Sequence, residues 1–197
     1  MKRNSTLMHN LGRIGMMVLA AGLAALTAGC RTANMKVAPT ARIQNVSTQR
    51  IPLSVGLMLD DRLCTNRFIP NSGGRIYPFG PTLKQQSISL CEQSFENVIV
   101  STNGLVPAGV DVTLAPELHR CGVSTPHGRQ LDVIVLLQWT LRTSDNRDIL
   151  WMATVAGCGS ESSPKVYQLL FDDLATKSYR AFQESPEIKR LIAKKSN

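Results

Sequence analysis

Two acidic residues and two histidines are the side chains of this sequence best suited to metal binding or acid–base chemistry. Asp60 and Asp61 end a predicted strand, and His119 and His127 lie near the loop after a later strand. Carboxylate and imidazole groups bind metals or transfer protons when the fold brings them together. Solvated loop positions, or a carboxylate paired with Arg62, are the simpler interpretation. The sequence therefore predicts no catalytic residue and no metal site.

Other sequence motifs for catalysis are also missing. A serine and a histidine lie close together in STPHG, residues 124–128, but this run is typical of a turn. The sequence contains no nucleophile-elbow, zinc-protease or phosphate-loop pattern. Asp172 and Asp173 lie on the predicted exposed side of a helix. The chain is therefore predicted not to be an enzyme.

The first thirty residues have the organisation of an export signal that ends in a cysteine. They contain three Lys or Arg residues and no acidic residue, and residues 14–29 are apolar or small. This run is shorter than the ~20 apolar residues that span a bilayer. The closing LTAGC, residues 26–30, resembles a bacterial lipobox, with Thr27 at the position where leucine is commonest.

The lipobox resemblance implies that residues 1–29 are removed and that Cys30 is lipidated. Cys30 would carry a diacylglycerol on its sulfur and an acyl chain on its new amino group, and two or more chains give a stable membrane anchor. Arg31, in a place where aspartate favours inner-membrane retention, favours the periplasmic face of the outer membrane. A retained anchor helix or an ordinary secretory signal is the alternative. No other cofactor is predicted.

Four further cysteines, at positions 64, 91, 121 and 158, raise the question of disulfides. An even number in an exported protein is consistent with two bridges, whereas reduced buried thiols are the alternative. The loops after the strands near residues 110 and 150 lie at one edge of an antiparallel meander. This favours a Cys121–Cys158 bridge, and Cys64–Cys91 follows by elimination. No spacing is typical of a zinc site.

The charge of the chain gives a weak indication of its partners. The net charge is +8, and the basic residues are scattered apart from the C-terminal end. A nucleic-acid-binding protein shows a basic stripe instead. We therefore expect no nucleic acid as partner. The expected partners are the membrane, through the lipid, and an envelope protein or further copies of this chain.

Alternating apolar residues predict four strands. In IPLSVGLMLDD, residues 51–61, Leu53, Val55, Leu57 and Leu59 alternate with Ser54, Gly56, Met58 and Asp60. Strands are also predicted at 110–114, which Pro116 would bend or end, at 131–141, with both faces covered or half covered, and at 149–157. The run FIPNSGGRIYPF, residues 68–79, predicts a hairpin at a sheet edge or in a loop.

Helical spacing predicts two amphipathic helices and a short third one. Thr82 and Gln85 form a capping-box pattern, and the first helix would continue through Phe95 and Val98. The short helix begins at Ser185. The second helix follows a Ser-Pro pair at 163–164, with an apolar stripe of Val166, Leu169, Leu170, Leu174, Ala181 and Phe182.

The order of these elements predicts one folded domain at 50–197 behind a tether at 30–49. The fold class is α+β (split α/β), a mixed or antiparallel sheet of about four to five strands with two amphipathic helices packed on it.

With this layout the chain resembles the YajG-like small outer-membrane lipoproteins. The likeness lies in the lipobox, KVAPTARI at 36–43, DDR at 60–62, the order of elements and the basic ending SPEIKRLIAKKSN at 185–197. More distantly the layout is similar to curli-secretion and Pel-export lipoprotein domains, which implies work in oligomeric rings. The four extra cysteines and the insert at 68–79 depart from the YajG-like pattern.

Anchor, layout and missing catalytic motifs together predict a function. We expect a non-enzymatic outer-membrane lipoprotein that acts as a periplasmic interaction or assembly subunit of the cell envelope. The alternative is a module that binds a lipid or another small amphiphile between sheet and helices, lined by Trp139, Trp151 and Phe95. A pocket beside these rings would favour the alternative, and a fully packed interface would count against it.

Overall fold

Five strands and three helices are present in the computed structural model, which describes residues 37–44, 49–60, 63, 79–124, 131–161 and 165–196. In chain order they are β1 (Ile51–Met58), α1 (Phe79–Ser94), β2 (Phe95–Ser101), β3 (Val112–Ser124), β4 (Leu131–Thr143), β5 (Ile149–Glu161), α2 (Val166–Glu184) and α3 (Pro186–Lys195). No helix in these ranges is long and apolar enough to cross a bilayer. The predicted hairpin at 68–79 lies outside the described residues except for Phe79.

The five strands form one mixed sheet in the order β2-β1-β3-β4-β5. β1 is parallel to both of its neighbours, and β3, β4 and β5 form an antiparallel meander. Helix α1 lies in the connection between β1 and β2, as a parallel pair requires. This architecture confirms the predicted α+β class.

One face of the sheet is buried under α1 and α2. In β1, Leu53, Val55 and Leu57 are at most 1% exposed, which confirms the alternation predicted for this strand. In β4 every second side chain from Val133 to Leu141 is likewise buried, because residues two apart in a strand share a face. The core therefore lies between this sheet face and the helices.

The residues after α1 form a strand, whereas helical spacing predicted a continuation of the helix. Helix α1 begins at Phe79, three residues before Thr82, and ends at Ser94. Residues 95–101, FENVIVS, form β2 and pair with β1. The three successive β-branched residues at 98–100 favour a strand over a helix, because their side chains are stiff. The predicted helix through Val98 was wrong for this segment.

Pro116 does not end β3, which continues to Ser124. Pairing between β1 and β3 involves only Val112, Thr113 and Leu114 of β3. At Pro116, the side of β3 that faces β1 therefore has no described partner strand. A missing N–H costs least at such an edge position, which explains why the strand continues through the proline.

Helix α2 buries Val166, Leu170, Leu174 and Phe182 of the predicted stripe, but not Leu169. Leu169 is 45% exposed, whereas Tyr167, Phe171 and Tyr179 are buried. The predicted Ser-Pro start at 163–164 lies outside the described residues. The start of α3 is confirmed, because the Ser185 side chain accepts a hydrogen bond from the Ile188 N–H at 3.2 Å.

Residues 37–44, which we call the strap, fall within the predicted tether and lie against both long helices. The Ala38 N–H donates to Gln168 of α2 at 2.6 Å, and Gln86 of α1 donates to the Ala38 carbonyl at 2.5 Å. Ala41 is 3% exposed, and its carbonyl accepts from Gln93 at 2.9 Å. Contacts with the helices are therefore made by residues that lie inside the segment predicted as a tether.

Candidate functional site

The three aromatic residues proposed as a binding site meet at a fourth ring, Phe182 of α2. The ring centroids of Trp139, Phe95 and Trp151 lie 5.1, 5.4 and 6.1 Å from that of Phe182. Trp139 and Phe95 are at most 1% exposed. The Trp139 indole N–H donates to the Ser178 hydroxyl at 2.9 Å, so its polar group is also satisfied. The three aromatic residues are close together, as expected, but they pack around the ring of Phe182 instead of lining an open site.

Little space remains between sheet and helices for a ligand. A cavity of only ≈ 10 Å³ lies among Trp139, Leu137, Phe171 and Ser178. Pockets for small molecules measure roughly 300–1,000 Å³. In the described part of the chain, the predicted amphiphile site beside Trp139, Trp151 and Phe95 therefore has no cavity of ligand size, because side chains of α2 fill the space.

The predicted Cys121–Cys158 disulfide is corrected by the register of the meander. Cys121 lies opposite Val135 and Cys158 opposite Ile134, so β4 separates the two cysteines. Two strand spacings amount to about 9.6 Å, beyond the ~7 Å limit between the Cα atoms of a disulfide. The two side chains also lie on opposite faces, because Ile134 and Val135 are successive residues. Both cysteines are free thiols.

The remaining cysteines are only partly described. Cys30 and Cys64 lie outside the described residues, so lipidation and the Cys64–Cys91 bridge stay predictions. Cys91 is completely buried, and burial, followed by the charge of Glu92, strongly raises its pKa. Burial likewise raises the pKa of Cys121 to about 11. Neither Cys91 nor Cys121 therefore has the depressed pKa of a reactive nucleophile.

The acidic and histidine residues do not form a metal centre in the described part of the chain. His119 Nε2 lies 3.0 Å from Gln138 Oε1 and 4.0 Å from Glu117 Oε2. Asp61 and His127 lie outside the described residues. Across the described ranges, no three histidine, cysteine or acidic side chains come close enough to hold a metal ion.

An open cleft of ≈ 650 Å³ lies at the carboxyl end of β1. Asp60 and Glu117 line it, together with Thr102, Asn103 and the backbone of Gly104. Its described lining contains no histidine, cysteine or lysine. The described lining of the cleft thus combines two carboxylates with the hydroxyl of Thr102 and the amide of Asn103.

The outer side of β4 and β5 faces away from the core under α1 and α2, and we call Ile134, Leu136, Met152 and Ala156 the open face. Ile134 and Met152 are 49% and 53% exposed. Leu136 lies directly opposite Ala156, and both are half-buried. On this side β4 is half covered, as the prediction of covered or half-covered faces allowed, and Ile134 is its most exposed apolar residue.

Sequence reasoning missed the open face, although a signal was present. Gln138 and Arg142 share the outer side of β4 with Ile134, and two polar residues at that spacing indicate a face that touches water. The apolar majority of the 131–141 run concealed this alternation. At the far edge of the sheet, β2 adds Ile99 and Val100, which are 36% and 38% exposed.

Comparison with known proteins places this architecture among solved structures. No known protein family matches the chain, and no curated protein matches it. A DUF330 protein from Xanthomonas campestris aligns with a TM-score of 0.51 at 14% identity, over 81% of this chain and 96% of its own. That similarity shows a shared fold.

Two further structures align at lower scores. A lipoprotein from Neisseria meningitidis has a TM-score of 0.41 at 16% identity, over 68% of this chain and all of its own. A minor lipoprotein from Acinetobacter baumannii has a TM-score of 0.43 at 11% identity, over 72% of this chain and 96% of its own. The chain is thus similar in fold to the Xanthomonas protein, while the YajG-like resemblance of its sequence stays a prediction.

Proposed function

We propose that this chain is a lipoprotein of the bacterial outer membrane whose periplasmic domain acts, without catalysis, as an interaction or assembly subunit of the cell envelope. The anchor is Cys30, carrying a diacylglycerol and an N-acyl chain. The proposal rests on the LTAGC sequence for the anchor and on the open face for the interaction.

The open face is the observation that carries the interaction role. On the other side of the same strands every second residue of β4 from Val133 to Leu141 is buried under the helices, so this sheet is asymmetric. Large apolar side chains exposed on a sheet surface, with polar Gln138 and Arg142 beside them, have the composition of a protein–protein interface. A partner that covers Ile134 and Met152 would remove these apolar surfaces from water.

The packed core argues against carriage of an amphiphile as the main role. A lipid needs a cavity many times larger than the ≈ 10 Å³ beside Trp139. To admit one, α2 would have to leave the sheet and break the contacts of Phe182 with Trp139 and Phe95. Interaction through the surface requires no such opening.

The anchor is tested by the mass of the N-terminal peptide of the mature protein. We expect a peptide that begins at Cys30 and carries a diacylglycerol and a third acyl chain. The Cys30→Ser variant should accumulate as an unprocessed precursor. Release of this variant as a mature soluble protein would show ordinary signal cleavage instead.

The interaction is tested by a photo-crosslinking amino acid placed at Ile134 in living cells. A matched control carries the same group at Arg180, which is exposed on α2 at the opposite side of the molecule. We expect a discrete crosslinked species, of an envelope protein or of a second copy, from position 134 and none from position 180. Equal and diffuse labelling from both positions would refute a specific interface on the open face.

A further inference from the structure

The strap shortens the distance between the lipid anchor and the folded domain. Had the tether extended to Arg50, nineteen residues would lie between it and Cys30, and the twenty Cα–Cα steps would reach at most about 72 Å. The strap is held on the helices from Ala38 onward, through hydrogen bonds to Gln168 and Gln86. Only seven residues then lie between Cys30 and Ala38, and the eight Cα–Cα steps span at most about 29 Å.

The strap also determines which side of the domain lies nearest the anchor. Ala38 is hydrogen-bonded to Gln168 in the first turns of α2. The same part of α2 exposes Leu169, at 45%, and Lys165. Lys165 and Leu169 are four residues apart, so they lie on one side of the helix. Val37, at the start of the strap, is half-buried against the core.

We propose that this surface, formed by Val37, Lys165 and Leu169 and called the strap-end surface, rests on the lipid bilayer that holds Cys30. This proposal rests on lipidation of Cys30, the proposed function, and adds the orientation of the domain. Leu169 inserts among the lipids at the level of the headgroups, and Lys165 faces anionic phosphates.

The chemistry of the strap-end surface fits a bilayer with anionic lipids. An exposed leucine beside a lysine combines an apolar contact with a cation that anionic headgroups attract. These two side chains alone would bind weakly. The anchor, held within about 29 Å, supplies the effective concentration that makes weak contacts persist.

This orientation fixes the direction in which the open face points relative to the bilayer. Helix α2 covers one side of the sheet, and Ile134 and Met152 lie on the other. With the strap-end surface on the bilayer, the open face is directed away from the lipids that touch α2. It therefore stays available to a partner in the periplasm.

The test uses the mature lipidated chain in vesicles of phosphatidylethanolamine and phosphatidylglycerol. An environment-sensitive fluorescent amino acid is placed at position 169, and in a matched control at position 152, which is similarly exposed on the open face. Lipids with a spin label near the headgroup serve as quencher. We expect several-fold stronger quenching at position 169 than at position 152.

Two results would overturn the orientation. Equal quenching at both positions, or stronger quenching at position 152, would show that the strap does not place α2 on the bilayer. The Gln168→Ala variant, which removes the hydrogen bond to Ala38, should lower the quenching at position 169. Unchanged quenching in that variant would show that the strap does not hold the surface in place.

Failure of the proposed function would give a different result. If the N-terminal peptide carries no acyl chain, the anchor itself is wrong, and the protein should not float with the vesicles. If the peptide is acylated and the protein floats, but position 169 is not quenched, only the orientation is wrong. The mass spectrum and the flotation assay therefore separate the two cases.

Discussion

Gly159 of β5 is the position where a single methyl group should disturb the fold most. A Cβ atom there would overlap the carbonyl oxygen of Val166 and lie 3.1 Å from the Cβ atom of Leu170. Both neighbours belong to the first turns of α2. The glycine thus allows the helix backbone to approach the strand directly, and in Gly159→Ala the start of α2 must move away from β5.

The size of the effect follows from two opposing contributions. Overpacking of a core costs about 1–3 kcal/mol, and the upper end applies here because the obstacle is backbone and cannot rotate away. Replacing glycine by alanine inside a regular element returns about 0.5–1 kcal/mol of conformational entropy. We therefore expect Gly159→Ala to lower the free energy of unfolding by about 2 kcal/mol.

Urea denaturation monitored by tryptophan fluorescence measures this loss. With a slope of about 2 kcal/mol per molar urea, the midpoint should fall by about 1 M. Gly122→Ala in β3 is the matched control, since a Cβ at Gly122 has no neighbour within 4 Å. Its midpoint should stay equal or rise. If both variants shift equally, or Gly159→Ala is neutral, the close approach of α2 to β5 is wrong.

Three further predictions concern the core, an ion pair and the thiols. Phe182→Ala should cost about 3–5 kcal/mol in urea denaturation, and a loss below about 1 kcal/mol would mean that the rings around it are not packed. Burial raises the pKa of Asp111, but hydrogen bonds from Lys195 and the Ser54 N–H lower it below 3.8 overall. Asp111→Asn should therefore lower the free energy of unfolding by less than about 1 kcal/mol at pH 7. This loss should vanish as the pH falls through the depressed pKa of Asp111, because the wild-type carboxyl is then neutral as well. A loss that persists in acid would contradict the pairing of Asp111 with Lys195. An alkylating reagent should label exposed Cys158 in the native protein but Cys91 only after unfolding, and labelling of Cys91 at the rate of Cys158 would show that α1 is not packed as described.

The class of fold could be predicted from local patterns in the sequence. The alternation of Leu53, Val55 and Leu57 needs only the two-residue period of a strand, and all three side chains are buried. Ser185 followed by Pro186 is a helix start that depends on neighbouring residues alone, and the structure contains it. Such features are readable because their physical cause lies within a few residues.

Features that depend on distant pairing were missed. Residues 95–101 contain apolar positions that suit a helix, but the edge of β1 offers backbone partners that only a strand can use. The strap has no periodicity, because its order comes from side chains of Gln86 and Gln168 that lie far along the chain.

The candidate sites were harder to predict than the fold. Local reasoning grouped Trp139, Trp151 and Phe95 correctly in space, but it could not show that Phe182 fills the space between them. For Cys121 and Cys158 it placed both strand ends at one edge but did not account for the strand between them. Register and packing are three-dimensional quantities, and no local pattern encodes them.

The central claim is that the lipid-anchored domain acts through contact of its open face with an envelope protein or a second copy. The most direct measurement is crosslinking in intact cells followed by purification of the native lipidated chain and mass spectrometry of everything bound to it, lipids included. We predict a stoichiometric protein, or multiples of the chain itself, present in the wild type and in an Arg180→Ala control but lost in Ile134→Asp. A monomer in all three, with a lipid bound in the domain beyond its covalent acyl chains, would contradict the account and return the space beside Trp139 to consideration.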